Sequence, residues 1–120
     1  MKEMYNHEEY IKQNKRQGKG RWRLPKIEEL LSIVDYTTHN PASGIDITSN
    51  FYWSSTTTAG YTSSAWGVYF GVGYSGYHSK TCIMYIRCIR DTENGLEWGE
   101  DSSTKMSWHE AMEYAESLNV

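Results

Sequence analysis

Gly71-Val72-Gly73-Tyr74-Ser75-Gly76 has the G-x-G-x-x-G spacing of a dinucleotide-binding turn, and Asp91 follows Gly71 by 20 residues. That chemistry needs a helix opening at the third glycine, so that its N-terminal amides meet a pyrophosphate. Here Tyr77-His78-Ser79-Lys80-Thr81-Cys82-Ile83 continues as loop and strand, and no βαβ unit surrounds the turn. No nucleotide cofactor is expected. Ser54 and Ser55 lack a G-x-S-x-G elbow, and no pair of carboxylates stands near the polar loops. Asp46 is the only acid between residues 45 and 82, which argues against a calcium site built from converging oxygens. Cys82 and Cys88 lie in a run with strand character, Cys82-Ile83-Met84-Tyr85-Ile86-Arg87-Cys88. On one strand they would sit about 20 Å apart. A disulfide needs Cα atoms within about 7 Å, so two buried free thiols are expected. The four histidines (7, 39, 78 and 109) are scattered, none at finger-type spacing from a cysteine. The expectation is a non-enzyme with no catalytic residue, metal or cofactor.

Binding chemistry is more evident. Of the 27 residues from Thr56 to Cys82, 18 are Tyr, Ser, Gly or Thr, the composition favoured by contact loops. Tyrosine offers large amphipathic area at low entropy cost, while serine and glycine adapt their hydrogen bonding. The expected contact surface is the loops and outward strand faces of residues 57–81. Its candidate residues are Thr58, Tyr61, Ser63, Tyr69, Tyr74, Tyr77 and His78, with rings giving area and hydroxyls and His78 giving direction.

The elements that must hold these residues can be read from caps and periods. Asn6-His7-Glu8-Glu9 opens a helix expected to reach about Asn14, with Tyr5 and Tyr10 as a hydrophobic staple. Pro25 is placed as a first helical residue, and Ile27, Leu30, Leu31 and Val34 predict about ten helical residues after it. Ser107-Trp108-His109-Glu110 is a capping box. The helix it opens should present Trp108, Ala111, Met112, Ala115 and Leu118 as one apolar face. Between them the period falls to two: Trp66, Val68 and Phe70 alternate in one strand, and Met84, Ile86 and Cys88 in another. Gly95-Leu96-Glu97-Trp98 is a weaker strand. Helices followed by strands indicate α+β. Trp22, Ile27, Leu30, Trp53, Trp66, Val68, Phe70, Met84 and Ile86 are expected in the core.

The whole chain has 120 residues, enough for one domain, with 12 basic and 15 acidic side chains and a net charge of −3. Leu, Ile, Val and Phe total only 19, but five Trp and ten Tyr supply the missing burial. No apolar run is long enough to span a bilayer. The first residues lack the apolar stretch of a signal peptide, so a cytosolic chain or a piece of a longer exported protein is expected. Residues 12–26 carry seven basic groups and no acid, whereas residues 91–120 carry eight acids against Lys105 alone. Complementary pairing of these ends, within or between chains, explains the pattern more simply than nucleic-acid binding. The layout of residues 5–14 is also echoed by 107–119, as in a repeat cut part-way or a permuted module.

Trp22-Arg23-Leu24-Pro25-Lys26-Ile27-Glu28-Glu29-Leu30-Leu31 resembles the "WRLPTxxEL" signature of the Lcl C-terminal domain family, a C-type-lectin-like module. Tyr52-Trp53-Ser54-Ser55-Thr56, Ala65-Trp66-Gly67-Val68-Tyr69-Phe70 and Tyr85-Ile86-Arg87-Cys88-Ile89-Arg90 resemble its blocks "YWSST", "AWxVxF" and "YVRCVR". The blocks are similar also to those of diversity-generating retroelement variable proteins, in which the stretch between them is rewritten to vary a ligand-binding face. Asn94-Gly95-Leu96-Glu97-Trp98 and the segment from Trp108 to Ala115 resemble the family's opening blocks, "TGLxW" and "TWxxAxxYC", although here they follow the last strand. The resemblance implies a lectin-like domain over residues 1–90. Residues 91–120 would then open a next repeat, or complete the same domain as a permuted segment. The family's helix cysteine is Ala115 here, leaving Cys88 without its usual partner, and the EPN, QPD and WND triplets of calcium-dependent sugar binding are absent.

Together these readings predict an α+β, C-type-lectin-like fold: two helices packed on a small, twisted, mostly antiparallel sheet with long irregular loops. Arg23 and Arg87 are expected to hydrogen-bond loop carbonyls. The expected function is a non-catalytic binding module for a protein or cell-surface ligand, as in an adhesin or diversified receptor. The resemblance points to the cell surface. A structural repeat in a surface array, self-associating head to tail, is the alternative from another class. A formylglycine-generating type of oxidase, a distant fold relative working through cysteines, is a weaker one. No nucleic acid and no membrane insertion are expected.

Overall fold

A computed structural model describes residues 20–119 of the chain. The helix expected over residues 6–14 lies outside the described residues. In chain order the elements are α1 (Ile27–Leu31), β1 (Phe51–Thr58), β2 (Tyr61–Tyr69), β3 (Tyr74–Ser79), β4 (Arg87–Thr92), β5 (Gly95–Asp101) and α2 (Trp108–Ser117). Two antiparallel sheets result, one of three strands in the order β1-β2-β3 and one the hairpin β4-β5. The α+β class and antiparallel pairing agree with expectation. None of the described helices is long and apolar enough to cross a membrane.

Helix α1 has five residues where the spacing predicts ten, and its N-cap is Lys26, with Pro25 fully buried before it. It ends because Ile33 and Val34 are β-branched and poor helix formers, Ile33 lying in a turn and Val34 in an extended pairing. Val34 bridges Ser43, and the Asp35 amide donates to the Ala42 carbonyl at 2.8 Å. Helix α2 has the expected capping box. Ser107 Oγ accepts from the Glu110 amide at 3.3 Å, and the Glu110 carboxylate accepts from the Ser107 amide at 2.9 Å. Its buried stripe is narrower than expected: Ala111 and Ala115 are buried and Trp108 half-buried, but Met112 and Leu118 are exposed.

The expected strand over Cys82–Cys88 is also displaced. Thr81 and Cys82 lie in a turn, Met84 and Tyr85 form single bridges, and regular pairing begins only at Arg87. The physical reason is a change of partner. Met84 exchanges two 2.9 Å hydrogen bonds with Met106, and Tyr85 then docks alongside β1, its carbonyl accepting from Trp53 at 3.0 Å. Cys82 is therefore exposed, not buried, and only Cys88 is a buried thiol.

The three-stranded sheet separates two cores. Directly opposed residues of an antiparallel pair point to the same side. Trp53, Gly67, Ala65 and His78 thus share one face, and Tyr52, Val68 and Ser75 the other. On the first face Trp53 and Ala65 pack with Leu24, Met84, Ile86, Cys88 and the alanines of α2. On the second, Tyr52 and Val68 pack with Leu30 of α1, Ile47 and Phe70. Of the expected core residues, Trp22, Ile27 and Trp66 are only half-buried: Trp22 and Ile27 lie at the margins of the two cores, and Trp66 packs edge to face on Tyr77. Gly67 is required where β2 crowds against β1: a Cβ there would stand 2.7 Å from the Tyr52 carbonyl oxygen.

The acidic end of the described chain packs against its basic beginning. Asn119 brackets the Trp22 peptide unit, its Oδ1 accepting from the Trp22 amide at 2.7 Å and its Nδ2 donating to the Trp22 carbonyl at 2.9 Å. Arg21 forms an ion pair with Glu116, and Arg23 approaches Asp91 at 3.7 Å.

Candidate functional site

Strands β2 and β3 pair over six consecutive positions without a bulge, from Ser64 with Ser79 to Tyr69 with Tyr74. Their sequences alternate aromatic or hydroxyl residues with small ones, so each face of this ribbon carries its own ring cluster. Trp66 stands opposite Tyr77, and their rings meet edge to face at 5.3 Å. Tyr61 lies nearly parallel to Tyr77, with ring centres 6.0 Å apart and planes 9° apart. On the other face Phe51, Tyr69, Tyr74 and His78 gather. Phe51 lies 4.8 Å from both Tyr69 and His78, and Tyr69 lies 5.5 Å from Tyr74.

The seven residues singled out in the sequence do not form one surface. Tyr61 and Tyr77 belong to the first cluster, and Tyr69, Tyr74 and His78 to the second, across the sheet. Ser63 is exposed on β2 beside Tyr61. Thr58 is buried at the end of β1, its Oγ1 without a hydrogen-bond partner among the described residues, so it cannot contribute to an outer contact. The bend at the β1-β2 hairpin, where the pairing jumps from Thr57–Ala65 to Thr58–Tyr61, turns Thr58 inward. Two members were missed: Trp66, assigned to the core, and Phe51. The alternation that marks β2 carried the first signal, since an aromatic at a strand position opposite Tyr77 shares its face.

Exposure distinguishes the clusters. Tyr61 and Tyr77 are 63% and 49% exposed, and Tyr74 is 52% exposed, whereas Phe51, Tyr69 and His78 are half-buried. The first cluster is an open platform. The second is mainly a lid on the edge of the core.

A groove of about 530 Å³ opens elsewhere, between β4, β5 and α2, lined by Trp22, Arg87, Trp98, Tyr114 and Leu118. Two of its charged side chains, Arg87 and Glu97, are already engaged. Arg90 lies 4.1 Å over the Trp22 ring and 3.0 Å from Glu97, while Arg87 Nε donates to the Gly99 carbonyl at 2.7 Å. Arg87 also donates to the Asp46 carbonyl, as expected for a residue that ties loops together. Arg23 departs from that expectation: it grips the Glu29 carboxylate with two hydrogen bonds of 2.8 and 2.9 Å. Cys88 lines the groove wall, and burial pushes its thiol up to about 11, so at neutral pH it is protonated and a poor nucleophile. No group of three or more His, Cys, Asp or Glu among the described residues is placed to hold a metal ion.

The Lcl C-terminal domain model matches residues 2–90, which include all four ordered blocks from Trp22 to Arg90. No curated protein and no solved structure matches the chain. The match extends over well more than half the sequence, and the chain belongs to the Lcl C-terminal domain family.

Proposed function

We propose that this chain is a non-catalytic ligand-binding module of C-type-lectin-like architecture, with its contact platform at Tyr61, Trp66 and Tyr77. The observation that carries the reading is the exposed, parallel Tyr61–Tyr77 pair braced by Trp66. Rings held this way lose little freedom when a ligand covers them, and buried aromatic anchors dominate interface energetics. Ser63, Ser64, Ser75 and Ser79 place hydroxyls along the same two strands. No carboxylate lies between residues 47 and 86, so the platform suits a protein or cell-surface ligand recognised by ring area and hydroxyl hydrogen bonds.

The test is binding of purified protein to arrays of glycans and extracellular proteins, comparing wild type with Y61A/Y77A and with Y74A. The double variant should lose at least tenfold in affinity for any ligand found, the loss of one hot-spot contact, with a melting temperature within a few degrees of wild type. Y74A should bind nearly as wild type. Undiminished binding by Y61A/Y77A would assign the contact elsewhere, and a collapsed melt would make these tyrosines scaffold.

A further inference from the structure

The three-stranded sheet has one closed side and one open side. Beyond β1, the backbone of Tyr85 is hydrogen-bonded to Phe51 and Trp53. Beyond β3, no strand among the described residues pairs with Tyr74–Ser79, and the one backbone hydrogen bond there comes from the following turn, where the Cys82 amide donates to the Ser79 carbonyl at 2.9 Å. Natural sheets guard such edges with Lys, Pro, a bulge or an inward charge. Strand β3, Tyr-Ser-Gly-Tyr-His-Ser, has none of these, and its pairing with β2 is regular throughout. Charge is also arranged to let another strand approach. Between residues 47 and 86 the only formally charged side chain is Lys80, while the acids of this −3 chain lie before and after that stretch.

We propose that β3 is a self-association edge. Two copies pair their Tyr74–Ser79 strands antiparallel, with Tyr77 on the two-fold axis, and join two three-stranded sheets into one of six strands. A second copy is the occupant these observations favour, because β3 meets its own requirements. About a two-fold at Tyr77, Ser75 faces the partner's Ser79 and Gly76 faces the partner's His78, so glycine leaves room for the imidazole and no like charges oppose. The two Tyr77 rings meet on the face that already holds Tyr61 and Trp66, making one aromatic surface from both copies. Main-chain hydrogen bonds supply the attraction and the isologous register supplies closure. A pair of six-residue edges buries less than the roughly 1,200 Å² of a standard interface, so association is weak and concentration-dependent.

The experiment is sedimentation equilibrium of the full chain from micromolar to millimolar concentration, with two charge variants at exposed positions of β3. Wild type should shift from monomer to dimer across this range. S75K/S79K opposes lysine to lysine twice and should stay monomeric, with an unchanged circular-dichroism melt. S75K/S79E opposes lysine to glutamate twice and should restore the dimer. In a C82S background, Y77C should form an intermolecular disulfide under mild oxidation, because opposed Cα atoms lie about 4.5–5.5 Å apart, within disulfide reach. A wild type that remains monomeric at millimolar concentration, or a dimer that survives in S75K/S79K, overturns the proposal. A monomeric S75K/S79E with no Y77C crosslink overturns the register about Tyr77.

Discussion

At the scale of single residues, the best-defined interaction is the forked pair of Arg23 and Glu29. Glu29 Oε1 also accepts from the Lys26 amide at 2.8 Å, so one carboxylate both anchors the arginine and caps α1. The hydrogen bonds from Arg23 hold the Glu29 carboxyl below its ordinary value of 4.5, burial opposing them. A carboxyl whose folded value is depressed contributes stability above its unfolded value and loses it as pH falls through the folded one. Glu29→Gln should therefore cost about 1–2 kcal/mol at neutral pH, and its difference from wild type should shrink as pH drops below about 4.5. Denaturant melts of both proteins at pH 7, 5 and 3 check this, and a constant difference across that range would remove the charge from the account. Arg23 and Arg87 were recognisable in the sequence as structural arginines, but their partners were not. Whether a guanidinium meets a carbonyl or a carboxylate depends on chain segments that close in space, such as Asp46 and Gly99 around Arg87.

At the scale of elements, signals held within a few residues were reliable. The Ser107–Glu110 capping box is local chemistry, and α2 begins where it indicates. Ser107→Ala should lower stability by about 1 kcal/mol, read as a lower melting temperature with unchanged near-ultraviolet dichroism. A neutral substitution would mean that packing of Ala111 and Ala115 alone sets the start of the helix. The alternation of Trp66, Val68 and Phe70 likewise marked β2 and its pleat. The failures share a cause: the length of α1 and the start of β4 were decided by distant partners, Ser43 for Val34 and Met106 for Met84. Propensity and period carry no information about such partners.

At the scale of the whole molecule, the segment after β4 is part of the core. Strand β5 pairs along β4, Ala111 and Ala115 pack beneath Trp53, and Asn119 clasps the Trp22 peptide. Trp53 and Trp108 each donate an indole hydrogen bond across this junction, to the carbonyls of Met106 and Ser54, both at 3.0 Å. Truncation after Thr92 should therefore abolish cooperative unfolding, because it strips one side of the Trp53 core and leaves buried polar groups unpaired. A truncated chain with a sharp thermal transition would instead place an independent core within residues 20–92.

The sequence alone specified the α+β class, the capped final helix, the four family blocks and the absence of a helix after the glycine turn. Each of these depends on neighbours within one or two turns of chain, or on composition summed over the whole. The core that composition led one to expect as aromatic-rich is mostly aliphatic around Tyr52, Trp53 and Phe70. Tertiary structure alone decided that the tyrosine-rich stretch is two clusters on opposite faces, that Thr58 turns inward, and that no strand among the described residues pairs with the outer edge of β3. Those features depend on strand register, and a shift of one residue in register carries every side chain to the other face. Register here is set by the turns of the two hairpins and by the bulges between Trp53 and Thr58, which the alternation of residue types does not locate.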